Sequence, residues 1–281
     1  MWRASEHRGE PDRYNYSEVV AGIVRLQRDA DEKLSREREV RERTDGGPFA
    51  GLVGDFDPNA YFGVLTHLAM DEGYVLDFVY RTNMAGGHPF LYARRSGAVR
   101  FATYSDYTRA AGGEGTVWDA FLRRVRADGS PESFFEFVVL RELGYQFYLL
   151  RTERHDCRAV MLTAADVDRV LATMARDHGL VGSPSHLPSP DASKDEPTPF
   201  HCGPRVSFVD KDTAEVSLVT FSSWEGLVRN TYRVGRAFPH TLTVTQRETL
   251  ERWAFFPGGG GGIPSRRRLG WASAELPSCW A

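Results

Sequence analysis

The sequence predicts an α+β fold with a mostly antiparallel sheet of about six to eight strands, three packed helices and a long, charged N-terminal helix. Three observations carry this prediction. Residues 134–151 concentrate more apolar and aromatic surface than any other stretch, several short runs alternate apolar with polar residues, and helix-start signals precede periodic segments. With 281 residues, of which 41 % are apolar, the chain can bury a sizeable core.

Residues 134–151 predict a β-hairpin at the centre of the sheet. Two apolar runs, both too short for typical helices and rich in aromatic and β-branched residues, flank a turn at 142–144. In the expected register Glu136 faces Arg151. Both faces of the hairpin are apolar, so we expect it to be covered on both sides rather than to lie at an edge.

The N-terminal region predicts a disordered segment, 1–16, followed by a charged amphipathic helix, 17–44. The segment is polar and contains Gly9 and Pro11. The apolar stripe of the helix thins toward its end, where charges of opposite sign stand four residues apart. The helix is therefore either a solvated element or an arm that binds a protein partner.

Helical and strand patterns alternate through the first part of the chain. Asp57 followed by Pro58 predicts the capped start of a helix. Apolar periodicity predicts the remaining elements. The predicted helices are 58–71, 116–127 and 163–178, and the predicted strands are 75–81, 90–95, 98–104 and 158–162.

The second part of the chain starts after a proline-rich loop at 181–200. Three alternating strands are predicted there, at 205–209, 214–221 and 227–234. This block would be marginal by itself, so residues 45–256 are expected to form a single α+β domain. Residues 257–281, which include five successive glycines and three successive arginines, predict a disordered tail.

Charge and composition argue against two classes of partner. The net charge of −3 supplies no field that would attract nucleic acid or an anionic membrane, and no apolar run approaches the length of a membrane span. Cys157, Cys202 and Cys279 are odd in number and widely spaced, which favours a reducing compartment. We therefore expect a soluble, cytoplasmic protein, and no motif predicts a cofactor.

Glu136 is the first candidate for catalysis. A carboxyl group among three phenylalanines is expected to have a raised pKa, which suits a general acid. The alternative is a cross-strand pair with Arg151 or a contact with solvent.

A calcium loop is excluded by its pattern. Asp55, Asp57 and Asn59 match its first three positions, but Ala60 and Thr66 replace the required glycine and glutamate.

Cysteine and histidine occur together at two places in the chain. His155 with Cys157, and His201 with Cys202, lack the spacing of standard zinc sites, so no metal is predicted. The same residues could instead supply a nucleophilic cysteine with a histidine base.

Two further patterns have ordinary structural explanations. His67 and Asp71 lie one turn apart on a predicted helix, where a surface hydrogen bond accounts for them. Residues 112–116 are glycine-rich and open a predicted helix, but the lysine of a phosphate-binding loop is missing.

The loop at 82–89 is the first candidate for binding, because loops on rigid sheets commonly carry function. Asn83 and His88 lie in this glycine-rich turn, which is otherwise explained as a hairpin tip. Three nearby tyrosines are expected to line a pocket: Tyr80, Tyr92 and Tyr104.

The sequence supports two functional hypotheses. The first is a non-catalytic binding or interaction protein, because no catalytic spacing is recognisable. The alternative is a hydrolase or transferase that uses His88 or a Cys/His pair in a pocket. A pocket in which His88, Glu136 or Cys157 converge would favour the enzyme.

Overall fold

The computed structural model describes residues 14–42, 56–83, 86–115, 117–149, 158–177, 202–222 and 225–251. Within these ranges the chain forms four α-helices, two 3-10 helices and nine strands, and every strand pairing is antiparallel. The predicted α+β class is therefore confirmed. The predicted loop at 181–200 and tail at 257–281 lie outside the described residues, as does most of the segment 1–16, and the division into domains stays a prediction.

The bounds of the elements follow the chain in order. The helices are α1 (Tyr16–Glu42), α2 (Tyr104–Gly115), α3 (Pro131–Leu143) and α4 (Ala164–Asp177), with 3-10 helices at Pro58–Gly63 and Ala120–Arg124. The strands are β1 (Leu68–Met70), β2 (Tyr74–Asn83), β3 (Gly86–Arg95), β4 (Val125–Ala127), β5 (Arg158–Met161), β6 (Arg205–Phe208), β7 (Thr213–Ser222), β8 (Gly226–Gly235) and β9 (Leu242–Glu251).

The strands are distributed over three sheets. In the largest sheet, β8 pairs with one side of β7, and β9 pairs with the far side of β8. Strands β5 and β6 pair with successive parts of the other side of β7. The second sheet is the hairpin of β2 and β3, and the third joins the short strands β1 and β4. Among the described residues β3 pairs only with β2, so no described strand lies on the far side of β3.

The predicted central hairpin is wrong, because residues 131–143 form helix α3. The local start signals are clear in the structure: the Ser130 side chain accepts a hydrogen bond from the Ser133 amide at 3.1 Å, and Pro131 occupies the first turn. Every residue from 133 to 140 is buried. A helix buried on all sides has no polar face, so its apolar run shows no helical period and resembles a covered strand.

Three other predicted elements are corrected by the structure. The helix predicted at 58–71 is only the 3-10 helix Pro58–Gly63, and the helix predicted at 116–127 is only the 3-10 helix Ala120–Arg124. Each is followed by one of the strands β1 and β4, which pair with each other across the chain. The strand predicted at 98–104 is absent from the described residues, and α2 begins at Tyr104. Long-range pairing thus outweighed local helical periodicity.

Several predictions agree with the structure. The Asp57 carboxylate accepts a hydrogen bond from the Asn59 amide at 3.0 Å and caps the first 3-10 helix. Strands form at all the other predicted positions, and α4 matches the predicted helix at 163–178. Strand β9 was not predicted.

Helix α1 uses its first half to cover α3 and the first 3-10 helix. Its buried side consists of Val19, Val20, Ile23, Val24, Gln27 and Ala30. The Gln27 amide donates to the Leu143 carbonyl at 2.5 Å and to the Tyr61 hydroxyl at 3.2 Å, which ties the three elements together. A protein partner for α1 stays a prediction, and this buried side is not available to it.

A main hydrophobic core surrounds α3, and two smaller clusters flank it. One lies between β5, β7, β8 and α4. The other consists of Val79, Phe90, Tyr92 and Tyr107 and joins the β2–β3 hairpin to α2. Among the described helices, none is both long and apolar enough to cross a membrane.

Candidate functional site

The loop residues predicted to bind belong to the end of the β2–β3 hairpin. Asn83 is the last residue of β2 and pairs with Gly86. His88 pairs with Arg81 across the hairpin, and its ring packs against Trp118 at a centroid distance of 5.3 Å. His88 therefore contacts an aromatic neighbour, and of the other catalytic candidates only Glu136 belongs to the part of the chain that the structure describes.

The three predicted tyrosines do not share one pocket. Tyr80 packs on the main core and donates to the Tyr148 carbonyl at 2.8 Å. Tyr92 and Tyr104 belong to the smaller cluster beside α2, where Tyr104 contacts Phe90 at 5.4 Å. Strand alternation sends Tyr80 and Tyr92 to opposite faces of the hairpin, and Tyr104 packs from α2 on the face of Tyr92. Their role in binding stays a prediction.

Glu136 lies inside the protein with both carboxyl oxygens occupied. Its side chain is fully buried in α3, Oε1 accepts from the Tyr14 hydroxyl at 2.8 Å, and Oε2 accepts from the His67 amide at 2.9 Å. Burial raises the pKa of this carboxyl above its ordinary value. The expected cross-strand register is wrong, because α3 is a helix, and Arg151 lies outside the described residues. The contacts of Glu136 instead hold the N-terminal segment and the loop before β1 against α3.

His67 pairs with Asp128 rather than with Asp71, so the expected one-turn relation is wrong. Its Nδ1 lies 2.7 Å from Asp128 Oδ2, whereas Asp71 binds Arg124 and Arg126. Partial burial opposes protonation of His67, but the hydrogen bond to Asp128 and the charge of Glu136 outweigh it and raise the pKa of the ring.

Ser130 completes this cluster without forming a catalytic triad. Its hydroxyl donates to Asp128 Oδ1 at 2.6 Å and lies 3.4 Å from Nδ1 of His67, the nitrogen that Asp128 already engages. A triad serine would face the other ring nitrogen. Together with the capping bond from Ser133, these contacts give Ser130 a role in starting α3.

The remaining predicted candidates have structural roles or fall outside the described residues. His155, Cys157 and His201 are not among the described residues, and Cys202 is buried, which raises the pKa of its thiol. The described part of the chain contains no group of three potential metal ligands. Residues 112–115 end α2 rather than open a helix, and the chain kinks at Gly112, where φ is 64°.

A groove lies along the far side of β3 and is the candidate site considered further. It encloses about 730 Å³ and is open to solvent. Besides β3, its lining comes from Tyr74, helix α2, residues 98–101, the second 3-10 helix, Phe238 and Pro239. This volume is in the range that accommodates a small organic ligand. We call it the β3 groove.

The β3 groove is lined mainly by aromatic residues and alanines. Aromatic side chains come from six positions: Tyr74, Tyr92, Phe101, Tyr107, Phe121 and Phe238. Alanines occupy five more: 93, 98, 110, 111 and 120. Tyr92, Tyr107 and Phe121 are buried, whereas Tyr74, Phe101 and Phe238 are partly exposed and offer ring surface beside the alanines.

Three of these rings form a cluster at one side of the groove. Tyr92 lies 5.3 Å from Phe101 and 5.0 Å from Tyr107, and Phe101 lies 5.7 Å from Tyr107. The Phe101 amide donates to the Tyr92 hydroxyl at 3.3 Å, which fixes the loop against β3. The cluster is therefore held in place before any ligand binds.

A buried ion pair fixes the same loop from β2. Asp77 is 2 % exposed, and its carboxylate binds Arg94 Nε at 2.5 Å and Arg100 Nη2 at 2.7 Å. Arg94 Nη1 then donates to the Ala98 carbonyl at 2.8 Å. Asp77 thus positions the side of the groove through Arg94.

Arginines mark the other part of the lining. Arg94, Arg95, Arg123 and Arg124 all line the β3 groove, and none of its described lining residues is acidic. The guanidinium groups of Arg124 and Arg95 lie 4.3 Å and 5.7 Å from the centre of the Tyr74 ring. Among the predicted binding residues, Tyr92 lies here, whereas the arginine pairs 94–95 and 123–124 were not predicted. Each arginine pair ends a strand or a 3-10 helix and lies close in sequence to an aromatic residue. This pattern is the sequence feature that points to the arginines of the groove.

Comparisons of the chain with protein-family models, with curated proteins and with solved structures found no match.

Proposed function

We propose that this chain is a non-catalytic binding protein and that the β3 groove takes a flat, largely apolar small molecule. One observation carries the proposal: a groove of about 730 Å³ whose aromatic rings and alanines come from separate elements packed around the far side of β3. Such surfaces bind planar ligands by stacking and by burial of apolar area.

The chemistry of the lining favours binding over catalysis. The described lining residues include no histidine, cysteine, aspartate or glutamate, the side chains that most often act as general bases or nucleophiles. The alternative of a hydrolase or transferase that uses His88 or a Cys/His pair has no such support from this groove.

The proposal is tested by filling the groove. Ala110 is an exposed residue of α2 that lines it, so Ala110→Trp should occupy its volume without disturbing the core. Ser105→Trp is the matched control, because Ser105 is also exposed on α2 but does not line the groove. Binding of 2-naphthol and 2-naphthoate is measured by ligand-observed NMR with saturation transfer from the full chain.

We expect at least one naphthalene probe to bind the unmodified protein, Ala110→Trp to abolish that binding and Ser105→Trp to keep it. If neither probe binds the unmodified protein, or if both variants bind the probes equally well, the β3 groove is not a ligand site and the proposal is wrong.

A further inference from the structure

The arginines that line the β3 groove differ in the hydrogen bonds and ion pairs that their guanidinium groups form within the protein. Arg94 is engaged through Nε and Nη1: Nε binds Asp77 at 2.5 Å, and Nη1 contacts the carbonyl oxygens of Arg95, Ser96 and Ala98 at 3.3, 3.4 and 2.8 Å. These donors hold the loop that follows β3 and are not available to a ligand.

Arg124 is partly engaged. Its Nη1 lies 3.2 Å from Asp71, and its guanidinium covers the Tyr74 ring. Asp71 also binds Arg126 Nη2 at 2.7 Å, and the hydrogen bond from Arg126 lowers the pKa of Asp71. Since two arginines share one carboxylate, the Asp71 charge is already more than balanced.

Arg95 differs from both. It is exposed, it stands directly across the hairpin from Tyr74, and its guanidinium lies over the Tyr74 ring at 5.7 Å. Among the described residues, no carboxylate lies within ion-pair distance of Arg95. Its guanidinium therefore adds to the lining a positive charge that no described carboxylate pairs with.

Nothing in the described lining offers a competing negative charge. The two nearby carboxylates that the arginines contact, Asp71 and Asp77, each bind two arginines. The phenol groups of Tyr92 and Tyr107 are neutral as well: burial raises the pKa of Tyr107 to about 12 and raises the pKa of Tyr92. The groove thus presents excess positive charge next to flat apolar surface.

We infer that the ligand of the β3 groove is a flat aromatic molecule with one oxyanionic group, and that Arg95 binds this group. The inference rests on the proposed function and adds the chemical class of the ligand. A guanidinium group donates paired N–H bonds to carboxylate and phosphate oxygens alike. The aromatic body of the ligand lies against the partly exposed rings of the lining, Tyr74, Phe101 and Phe238.

Three probes with the same ring system test the inference: 2-naphthoate, 2-naphthyl phosphate and neutral 2-naphthamide. Their affinities for the full chain are measured by titration calorimetry at low and at high salt. We expect at least one anionic probe to bind about tenfold more tightly than the amide, the gain expected of one charge-assisted hydrogen-bonded contact. This preference should shrink at high salt. The ratio between the two anions distinguishes a carboxylate ligand from a phosphate ligand.

Arg95→Gln assigns the anion contact to one residue. It should weaken the preferred anion about tenfold and leave the affinity for 2-naphthamide unchanged. Arg109→Gln is the matched control, since Arg109 is an exposed arginine of α2 that pairs with Asp106 and does not line the groove.

The outcomes separate the inference from the proposed function. If amide and anions bind equally, or if Arg95→Gln and Arg109→Gln act alike, the groove binds ligands but the assignment of an oxyanion to Arg95 is overturned. If none of the three probes binds the unmodified protein, the proposed function fails together with the inference.

Discussion

Asp77 on β2 and Arg94 on β3, 17 residues apart in the chain, form an ion pair at 2.5 Å that connects the hairpin to the side of the β3 groove. The Asp77 side chain is 2 % exposed and that of Arg94 is 19 % exposed. Because solvent screens the pair little, its loss should affect both the stability of the protein and the shape of the groove.

Asp77→Asn should destabilise the protein by about 2 to 3 kcal/mol. Removing one partner of a buried pair leaves an uncompensated charge, and the second partner, Arg100, is about half exposed, which reduces the cost. The measurement is the free energy of unfolding in urea. Asp212→Asn is the control, because Asp212 forms an exposed pair with Lys211, and its loss should cost less than about 0.5 kcal/mol. Equal losses in the two variants would contradict the prediction.

Ser130→Ala should destabilise the protein by about 1 kcal/mol, because it removes the N-cap of α3. Thermal unfolding followed by circular dichroism measures the change. Ser105→Ala is the matched control, since Ser105 is exposed in the first turn of α2 and does not cap it, a role that Thr103 has. The assignment of Ser130 as the cap is wrong if both substitutions leave the midpoint temperature unchanged.

The free energy of unfolding of Glu136→Gln should increase relative to that of the wild type as the pH rises. The folded pKa of Glu136 lies above its ordinary value of 4.5, so the stability that its protonated form contributes is complete below 4.5 and is lost as the pH rises through the folded value. A glutamine is neutral at every pH, and it can accept from the His67 amide and donate to the Tyr14 hydroxyl.

This prediction is checked by urea unfolding of the wild type and the variant between pH 4.5 and pH 7.5. The difference in unfolding free energy should grow in favour of Glu136→Gln across that range. Glu72→Gln, at an exposed position, is the control for a general change in net charge. A difference that stays constant with pH would show that Glu136 ionises normally in the folded protein.

His67 and His240 should titrate on opposite sides of the ordinary histidine pKa of 6.5. Burial lowers the pKa of His240, whose Nδ1 lies 2.8 Å from the Gly235 carbonyl and whose Nε2 accepts from the Ala127 amide at 3.1 Å. Protonation would remove that acceptor. Despite partial burial, the contact with Asp128 raises the pKa of His67, and the pKa of Asp128 itself is lowered to about 2.

Histidine side-chain NMR across a pH titration measures both values. The sign for stability follows from linkage: the contribution of His240 is present above 6.5 and is lost as the pH falls toward its folded value, whereas that of His67 is present below 6.5 and is lost as the pH rises through its folded value. Asp128→Asn should bring the pKa of His67 down and leave His240 unchanged. The opposite order of the two histidines would refute these assignments.

The sequence by itself determined the class of the fold and most of its strands. The predicted strands alternate apolar with polar residues, or are short apolar runs next to turns; they are β2, β3 and β5 to β8. Such patterns are local, so they predict strands whatever the arrangement of those strands in the fold. The cap at Asp57 and the helix α4 were equally local, since each depends on residues within one or two turns.

Only the tertiary structure decided that residues 131–143 form a helix. Total burial removes the polar face from which a helix is recognised, so Phe134 to Leu140 carry no period that separates helix from strand. The pairing of β1 with β4 and the partners of Glu136 also depend on residues far apart in the chain. The β3 groove has the same origin: Tyr74, Tyr92, Tyr107 and Phe238 become one surface because α2, the second 3-10 helix and residues 238–239 meet beside β3. Sequence patterns report local periodicity, whereas a site of this kind is made by contacts between distant segments.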